Sequence, residues 1–208
     1  MLLYDIERSG NCYKVRLFLS LLGIDYDRHP VNMRTGEDQS AAFLSLNPRG
    51  LVPVLVDGEQ VIIDSNAVLV YLARRYGGEA WLPLEPVAMS DIVRWLILEQ
   101  SEGRYGLARA RAMALRNPGF LPSTGTLEES RTFGRMALEE LQRQLECTPW
   151  LVGVRPTIAD VACYPYAAMG PQGGIDLDPY PAVGAWIARM EALPGYVDLP
   201  AIPAPEPS

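Results

Sequence analysis

The chain of 208 residues is 49% hydrophobic and 21% charged, with a formal net charge of −7, which fits one large or two small domains of ordinary globular composition. It has no run of Lys or Arg, so it lacks the basic footprint that nucleic acid or an anionic membrane surface requires. A local basic pocket for one small anion stays open.

The opening MLLYDIERSGNC has no long apolar core of a signal peptide, and no stretch reaches membrane-spanning length. The expected location is the cytoplasm. Leu2 to Tyr4 reads as a short strand. Helical spacing follows from Cys12 to Leu22, with Val15, Leu17, Phe18, Leu21 and Leu22 apolar and Gly23 as the stop. Ile24 to Asn32 alternates as a second strand, and Ala41 to Leu46 makes a brief helix ending before Asn47-Pro48. In LVPVLVDGEQVIIDSNAV, residues 51–68, two apolar runs flank an Asp57-Gly58 turn and form a hairpin. A helix from about Ser65 to Tyr76 closes before Gly77-Gly78. The order βαβαββα describes a small α/β unit with a mixed sheet.

After Gly78 the character changes. The segment GGEAWLPLEP reads as a linker, spanning 79–86. Beyond it no strand pattern occurs, and helical patterns cover 87–116, 127–145, 157–168 and 182–193. Residues 87–197 therefore form an all-helical domain. The end, DLPAIPAPEPS at 198–208, reads as a solvated Pro-rich tail. Thr157-Ile158-Ala159-Asp160 is a capping-box pattern, with Asp in place of the usual Glu or Gln, and marks the start of a buried helix.

Three cysteines, Cys12, Cys147 and Cys163, with no C-x-x-C exclude a disulfide scaffold and a zinc site, and no metal is expected. His29 is the single histidine, and no G-x-S-x-G elbow accompanies it, so Ser-His-Asp hydrolysis is excluded as well. His29 reads as a surface residue of the second strand.

Three places carry candidate chemistry. Pro53 at the mouth of a strand is either an ordinary trans-proline at an edge or a cis bond that turns the backbone so that Val52 exposes its N–H and C=O. Asp64-Ser65 ahead of a helix is an N-cap worth about 1 kcal/mol, or a seat for an anion on free N–H groups and the positive dipole end. At the front of the first helix stand the Ser9 hydroxyl, the Asn11 amide and the Cys12 thiol. Ser9 also suits a plain turn in Arg8-Ser9-Gly10.

The stretches SGNCYKVR at 9–16, NPRGLVPVL at 47–55 with Asp64-Ser65 behind it, and GVRPTIAD at 153–160 fall in an order and spacing that spans almost the whole chain. In them the chain resembles the glutathione S-transferase family, nearest to bacterial members with a serine in the first loop. The resemblance implies a thioredoxin-like domain over 1–78 that binds glutathione and an all-helical domain over 87–197. It implies a cis bond before Pro53, pairing of glutathione's cysteinyl segment with Val52 between Leu51 and Pro53, and capture of its γ-glutamyl end by Asp64 and Ser65. Family members more often carry Glu at position 64, so Asp64 is a shorter variant.

The implied chemistry is stabilisation of a thiolate. Ser9 is the first candidate donor to the glutathione sulfur and Asn11 the second. Cys12 is the rival, and a glutathione-dependent disulfide reductase or peroxidase on the same scaffold would lean on Cys12 or Asn11. A non-catalytic glutathione-binding protein is the third possibility. The electrophile pocket is expected between the domains, with Tyr105 and Arg109 of the first long helix in it. A cytoplasmic homodimer acting on small hydrophobic electrophiles in detoxification completes the expectation.

Overall fold

Leu2–Asp5 forms β1, the strand on which the first domain is built. Asp27–Pro30 (β2) pairs parallel to it, while Val54–Asp57 (β3) and Gln60–Ile63 (β4) continue antiparallel on its other side, giving the order β2-β1-β3-β4. This is the mixed sheet the sequence predicts. Described here are residues 1–115 and 125–200 of a computed structural model.

The alternation along β1 buries Leu3 and Asp5 and sets Leu3 opposite Leu55 of β3. β2 is shorter than its sequence pattern, and all four of its residues are exposed. Ile24 and Tyr26, which create the apparent alternation, pack on the core ahead of the ladder instead of within it. The hairpin turns on Gly58-Glu59, where Gly58 has φ 59, a left-handed conformation glycine adopts without a Cβ penalty.

Helix α1, Gly10–Leu21, starts two residues before the predicted position because Ser9 caps it. Cys12 through Leu19 are buried without interruption. α1 has no solvent face in its middle because it is packed both on the sheet side and against the second domain. α2 is Ala41–Leu46 and α3 is Ser65–Leu72, which passes into a π-type turn over Ala73–Gly77. Residues 79–86 dock on both halves of the molecule. The Trp81 ring meets Phe18 edge-on at 5.1 Å between centroids, and its carbonyl accepts the Ile158 N–H at 3.1 Å.

The second part is helical throughout its described residues: α4 (Pro86–Leu98), α5 (Arg109–Ala114), α6 (Leu127–Cys147), α7 (Ile158–Ala168) and α8 (Pro181–Glu191). Where the sequence predicts one helix over 87–116, a π-helical stretch over Glu99–Ala108 joins α4 to α5. The predicted end at Arg116 and the tail from 201 to 208 lie outside the described residues. Gly106 and Gly134 let this stretch and α6 approach backbone to backbone. A Cβ on Gly106 would stand 2.3 Å from the Gly134 nitrogen.

α7 is the axle of the molecule, buried from Ile158 to Ala167 between α1, α4 and α8. Its predicted capping box is present: Asp160 Oδ2 accepts the Thr157 N–H at 2.9 Å, and Thr157 Oγ1 accepts the Ala159 N–H at 3.3 Å. Oδ1 of Asp160 also accepts from the Leu151 N–H and the Trp186 indole, each at 3.0 Å. One apolar core runs from Leu3 through α1 into α7 and α8 without a break at the domain boundary.

Candidate active site

The front of α1 brings together the Ser9 hydroxyl and the Asn11 amide. Ser9, in extended conformation, caps the helix by accepting the Cys12 N–H on its Oγ at 3.3 Å. Among the described residues its own proton goes to no oxygen or nitrogen, and the neutral Cys12 sulfur beside it is a weak acceptor. Asn11 is held from two sides: its Oδ1 accepts the Ser65 hydroxyl and the Tyr166 hydroxyl, each at 3.0 Å. With the carbonyl oxygen occupied twice, the amide N–H groups of Asn11 are the part left to meet a ligand.

Ser65 is the first residue of α3 and nearly fully buried, so its bond to Asn11 ties the N-termini of α1 and α3 together. Asp64 stands where an N-cap would, yet its side chain makes no capping bond, which corrects the capping contribution that the sequence assigns to it. Its backbone takes φ 67, rare for a residue with a Cβ, and this turns the carboxylate away from the helix. It meets Arg49 instead, at 3.0 Å and in the open.

That ion pair joins the 47–53 loop to the start of α3. Asn47 staples the loop from inside: its Nδ2 donates to the Leu51 carbonyl at 2.6 Å and its Oδ1 accepts the Arg49 N–H at 3.1 Å. Asn47 is almost completely buried. The Val52–Pro53 bond is cis, with Leu51 exposed and Pro53 buried. Among the described residues neither the N–H nor the C=O of Val52 has a hydrogen-bond partner. Ser9, Asn11, Val52, Asp64 and Ser65 thus all belong to the N-terminal domain, and Arg49 and Asn11 tie the 47–53 loop and the α1 front to the start of α3.

Cys12 differs from its neighbours. It is completely buried, its sulfur accepts the Ile6 N–H at 3.4 Å, and burial pushes the thiol up to about 12. A helix N-terminus lowers a thiol pKa, and here desolvation outweighs it. Cys12 is a core residue and presents no thiolate.

Tyr105 and Arg109, the residues expected at the electrophile pocket, belong to the helical domain. They line a cavity of about 490 Å³ with Ser101, Glu102, Glu129 and Phe133, all from the helical domain. Among the described residues of that domain, the Tyr166 hydroxyl bonds Asn11 at the α1 front, and Arg111 Nη1 donates to the Arg8 carbonyl at 3.1 Å. The π-helical stretch over Glu99–Ala108 carries Tyr105. Its i→i+5 bonding advances the helix face differently from 3.6 residues per turn, and nothing in the residue pattern announces it.

Sequence reasoning also misses Tyr166, Lys14 and the use of Glu99. A signal for Lys14 exists, because a lysine amid the apolar run Tyr13 to Leu19 has no solvent to reach. Its Nζ stands 2.6 Å from Glu99, and both side chains are fully buried. For Tyr166 no signal exists, since the direction of a hydroxyl on a wholly buried helix is not encoded in spacing. His29 lies on the exposed strand β2, paired with Glu37 at 2.6 Å. Among the described residues no cluster of three or more His, Cys, Asp or Glu side chains is arranged to hold a metal, and no helix is long and apolar enough to cross a membrane.

Comparison with known proteins agrees with this arrangement. The glutathione S-transferase N-terminal domain model matches residues 8–75 and the glutathione S-transferase C-terminal domain model matches 122–194. Glutathione S-transferase Z2 of Arabidopsis thaliana is 30% identical over 99% of this chain and 92% of its own length. Maleylacetoacetate isomerase of Pseudomonas aeruginosa is 31% identical over 88% of this chain and 87% of its own. Among solved structures, a glutathione S-transferase from Pseudomonas fluorescens superimposes with a TM-score of 0.86 at 36% identity, covering 95% of this chain and 98% of that one. A glutathione transferase homologue from Drosophila mojavensis with bound glutathione superimposes with a TM-score of 0.81 at 28% identity, covering 93% of this chain and 88% of the other. A mixed four-stranded sheet with a cis-proline loop, joined through one core to an all-helical domain and matched along nearly its full length, makes this chain a member of the glutathione S-transferase family.

Proposed function

We propose that this chain catalyses attack by glutathione on small electrophiles, with the Ser9 hydroxyl and the Asn11 amide holding the sulfur as a thiolate at the N-terminus of α1. The observation that carries this reading is the front of α1 described above: Ser9 Oγ accepts the Cys12 N–H and Asn11 Oδ1 accepts two hydroxyls, which leaves the Asn11 amide N–H groups and the half-buried Ser9 hydroxyl for a ligand. A surface of that kind favours an anion.

The magnitudes suffice. An unperturbed thiol with a pKa near 8.5 is about 3% ionised at pH 7, and lowering that pKa by about two units makes it roughly three-quarters ionised. This requires about 2.7 kcal/mol of preferential stabilisation, and one hydrogen bond to a charged group supplies about 1.5–3 kcal/mol. Two donors at a helix N-terminus cover the difference without a general base. The unpaired Val52 backbone suits the cysteinyl segment of the tripeptide as an added strand. The start of α3 at Ser65, with Asp64 beside it, suits the γ-glutamyl carboxylate and ammonium. The buried thiol of Cys12 weighs against a reductase that uses Cys12 as its nucleophile.

A second reading, glutathione-dependent isomerisation, is favoured by the likeness to a maleylacetoacetate isomerase and by Arg111. Its guanidinium, anchored on the Arg8 carbonyl next to Ser9, offers a cation to a carboxylated conjugated substrate. The same thiolate would add to the alkene and leave again after bond rotation. Consumption of glutathione separates the two: transfer uses one equivalent per turnover, isomerisation none.

Exposed Val93, Ile97 and Tyr105 on one flank, with Phe133 and Met136 on α6, suit the interface of a homodimer. A cytoplasmic place and a detoxifying role fit this reading. The test is retention on immobilised glutathione together with turnover of a chlorinated nitroaromatic. Ser9→Ala should lose roughly 10- to 100-fold in rate, Ser9→Thr should keep most of it, and Cys12→Ser should keep it all. Undiminished turnover by Ser9→Ala would overturn the assignment.

A further inference from the structure

Behind the α1 front lies a charged pair that the proposed chemistry does not use. Lys14 Nζ stands 2.6 Å from Glu99 Oε1, and both side chains are completely shielded from solvent. Lys14 belongs to α1 of the first domain and Glu99 opens the π-helical stretch of the second. The pair is stitched into both domains. Lys14 donates to Asn66 Oδ1 at 3.2 Å. Asn66 Nδ2 donates to Glu99 Oε2 at 2.9 Å and to the Leu96 carbonyl at 3.2 Å. Gln100 donates to Glu99 Oε2 at 2.9 Å.

Two features tie this cluster to the ligand-facing groups. Lys14 Nζ lies over the Tyr166 ring, 5.4 Å from its centroid, and the Tyr166 hydroxyl is one of the two donors that fix Asn11. Asn66 directly follows Ser65, the other donor to Asn11. One turn behind Asn11 and one residue behind Ser65, the same ammonium and carboxylate therefore hold both helices against the second domain.

Stability alone is a poor reason for such a pair. Desolvating two charges costs about as much as their attraction returns, and apolar side chains of similar volume fill the same space at equal or better stability. What an ion pair provides, and an apolar contact does not, is a fixed direction.

We propose that Lys14 and Glu99 are positioning residues, whose buried ion pair sets the orientation of the Asn11 amide and the seat of Ser65 through Tyr166 and Asn66. This rests on the reading of Ser9 and Asn11 as donors to the glutathione sulfur. The pair touches no substrate, and its effect is on the thiol pKa of the bound tripeptide rather than on how tightly the tripeptide binds.

The test titrates the ultraviolet absorbance of enzyme-bound glutathione thiolate against pH in wild type, Glu99→Gln, Lys14→Met and the double variant Lys14→Met/Glu99→Leu, with melting temperatures taken alongside. Glu99→Gln should raise the apparent thiol pKa by about one unit and lower kcat/KM about tenfold below that pKa, with KM for glutathione within about threefold of wild type. The single variants leave one buried charge unpaired at a cost in stability, so the double variant decides. It should melt near or above wild type yet keep the raised thiol pKa. A double variant with wild-type pKa and rate would reduce the pair to space filling and overturn the inference. If wild type itself forms no thiolate on binding glutathione, the reading of Ser9 and Asn11 fails, and this inference falls with it.

Discussion

The Tyr166 hydroxyl, on α7 of the helical domain, donates to Asn11 Oδ1 at 3.0 Å on α1 of the other domain, 155 residues away in sequence. The ring also presses on Gly10, where a Cβ would stand 2.6 Å from Tyr166 Cε1. Tyr166→Phe keeps the packing and removes only the hydroxyl, so stability should fall by about 1 kcal/mol. Asn11 keeps Ser65 as its remaining anchor, and kcat should fall several-fold with little change in KM. Steady-state kinetics with glutathione as the varied substrate checks this, and Gly10→Ala should reproduce the kinetic defect by displacing the ring.

Thiol reactivity gives a second prediction. Cys147 is exposed, whereas Cys12 and Cys163 are buried and burial raises both thiols. Folded protein at pH 8 should therefore take up one equivalent of an alkylating reagent quickly, at Cys147, and the other two only on unfolding. Because the folded pKa of Cys12 lies above the unfolded one, its contribution to stability is complete below the unfolded value near 9 and is lost as pH rises toward about 12. Alkaline melting of wild type should exceed that of Cys12→Ser. Rapid labelling of Cys12 in the native state would contradict its placement.

Asp160 offers a test with the sign worked out. Burial raises its carboxyl from 3.8 to about 6, while the N–H groups of Leu151 and Thr157 and the Trp186 indole pull the other way. The folded protein binds this proton more tightly than the unfolded chain, so this site's contribution to stability is greatest below about pH 4 and declines as pH rises to about 6. Asp160→Asn should lack that slope, read as the difference between the two melting curves against pH. It should also melt much lower at neutral pH, by about 2–3 kcal/mol, because an amide meets donors where the carboxylate accepted them. Thr157→Ala should cost only about 1 kcal/mol and leave glutathione affinity unchanged.

The glycines of the π-helical stretch separate packing from propensity. Gly106→Ala drives a Cβ into the Gly134 backbone at 2.3 Å and should destabilise by roughly 1–3 kcal/mol or more. Gly103→Ala meets nothing nearer than 3.4 Å and should be neutral. Chemical denaturation of both variants checks the contrast.

Much of the fold is legible in the residues themselves. The Gly58 turn, the apolar spacing of α1 and the Thr157–Asp160 box are local signals, and local chemistry decides them. The placement of Ser9, Asn11 and Ser65 at the starts of α1 and α3 is legible for the same reason. What fails is whatever depends on a partner distant in sequence. Cys12 looks activated from its position on α1 and is silenced by the core around it. Arg111 donates to the Arg8 carbonyl from beyond a stretch of changed helix pitch that no residue pattern announces. Lys14 looks like a solvated cation until α7 and Glu99 close over it.

The unbroken apolar core has a practical consequence for recombination. The Tyr13 hydroxyl ends on the Val197 carbonyl at 2.6 Å, the Ile158 amide ends on Trp81, and Lys14 ends on Glu99. A fragment cut near residue 78 would strand a lysine in an opened greasy seam with its counter-charge gone. Chimeras that graft one half of this chain onto the other half of a relative should succeed only where all three junctions are transplanted together, because the two halves share their interior.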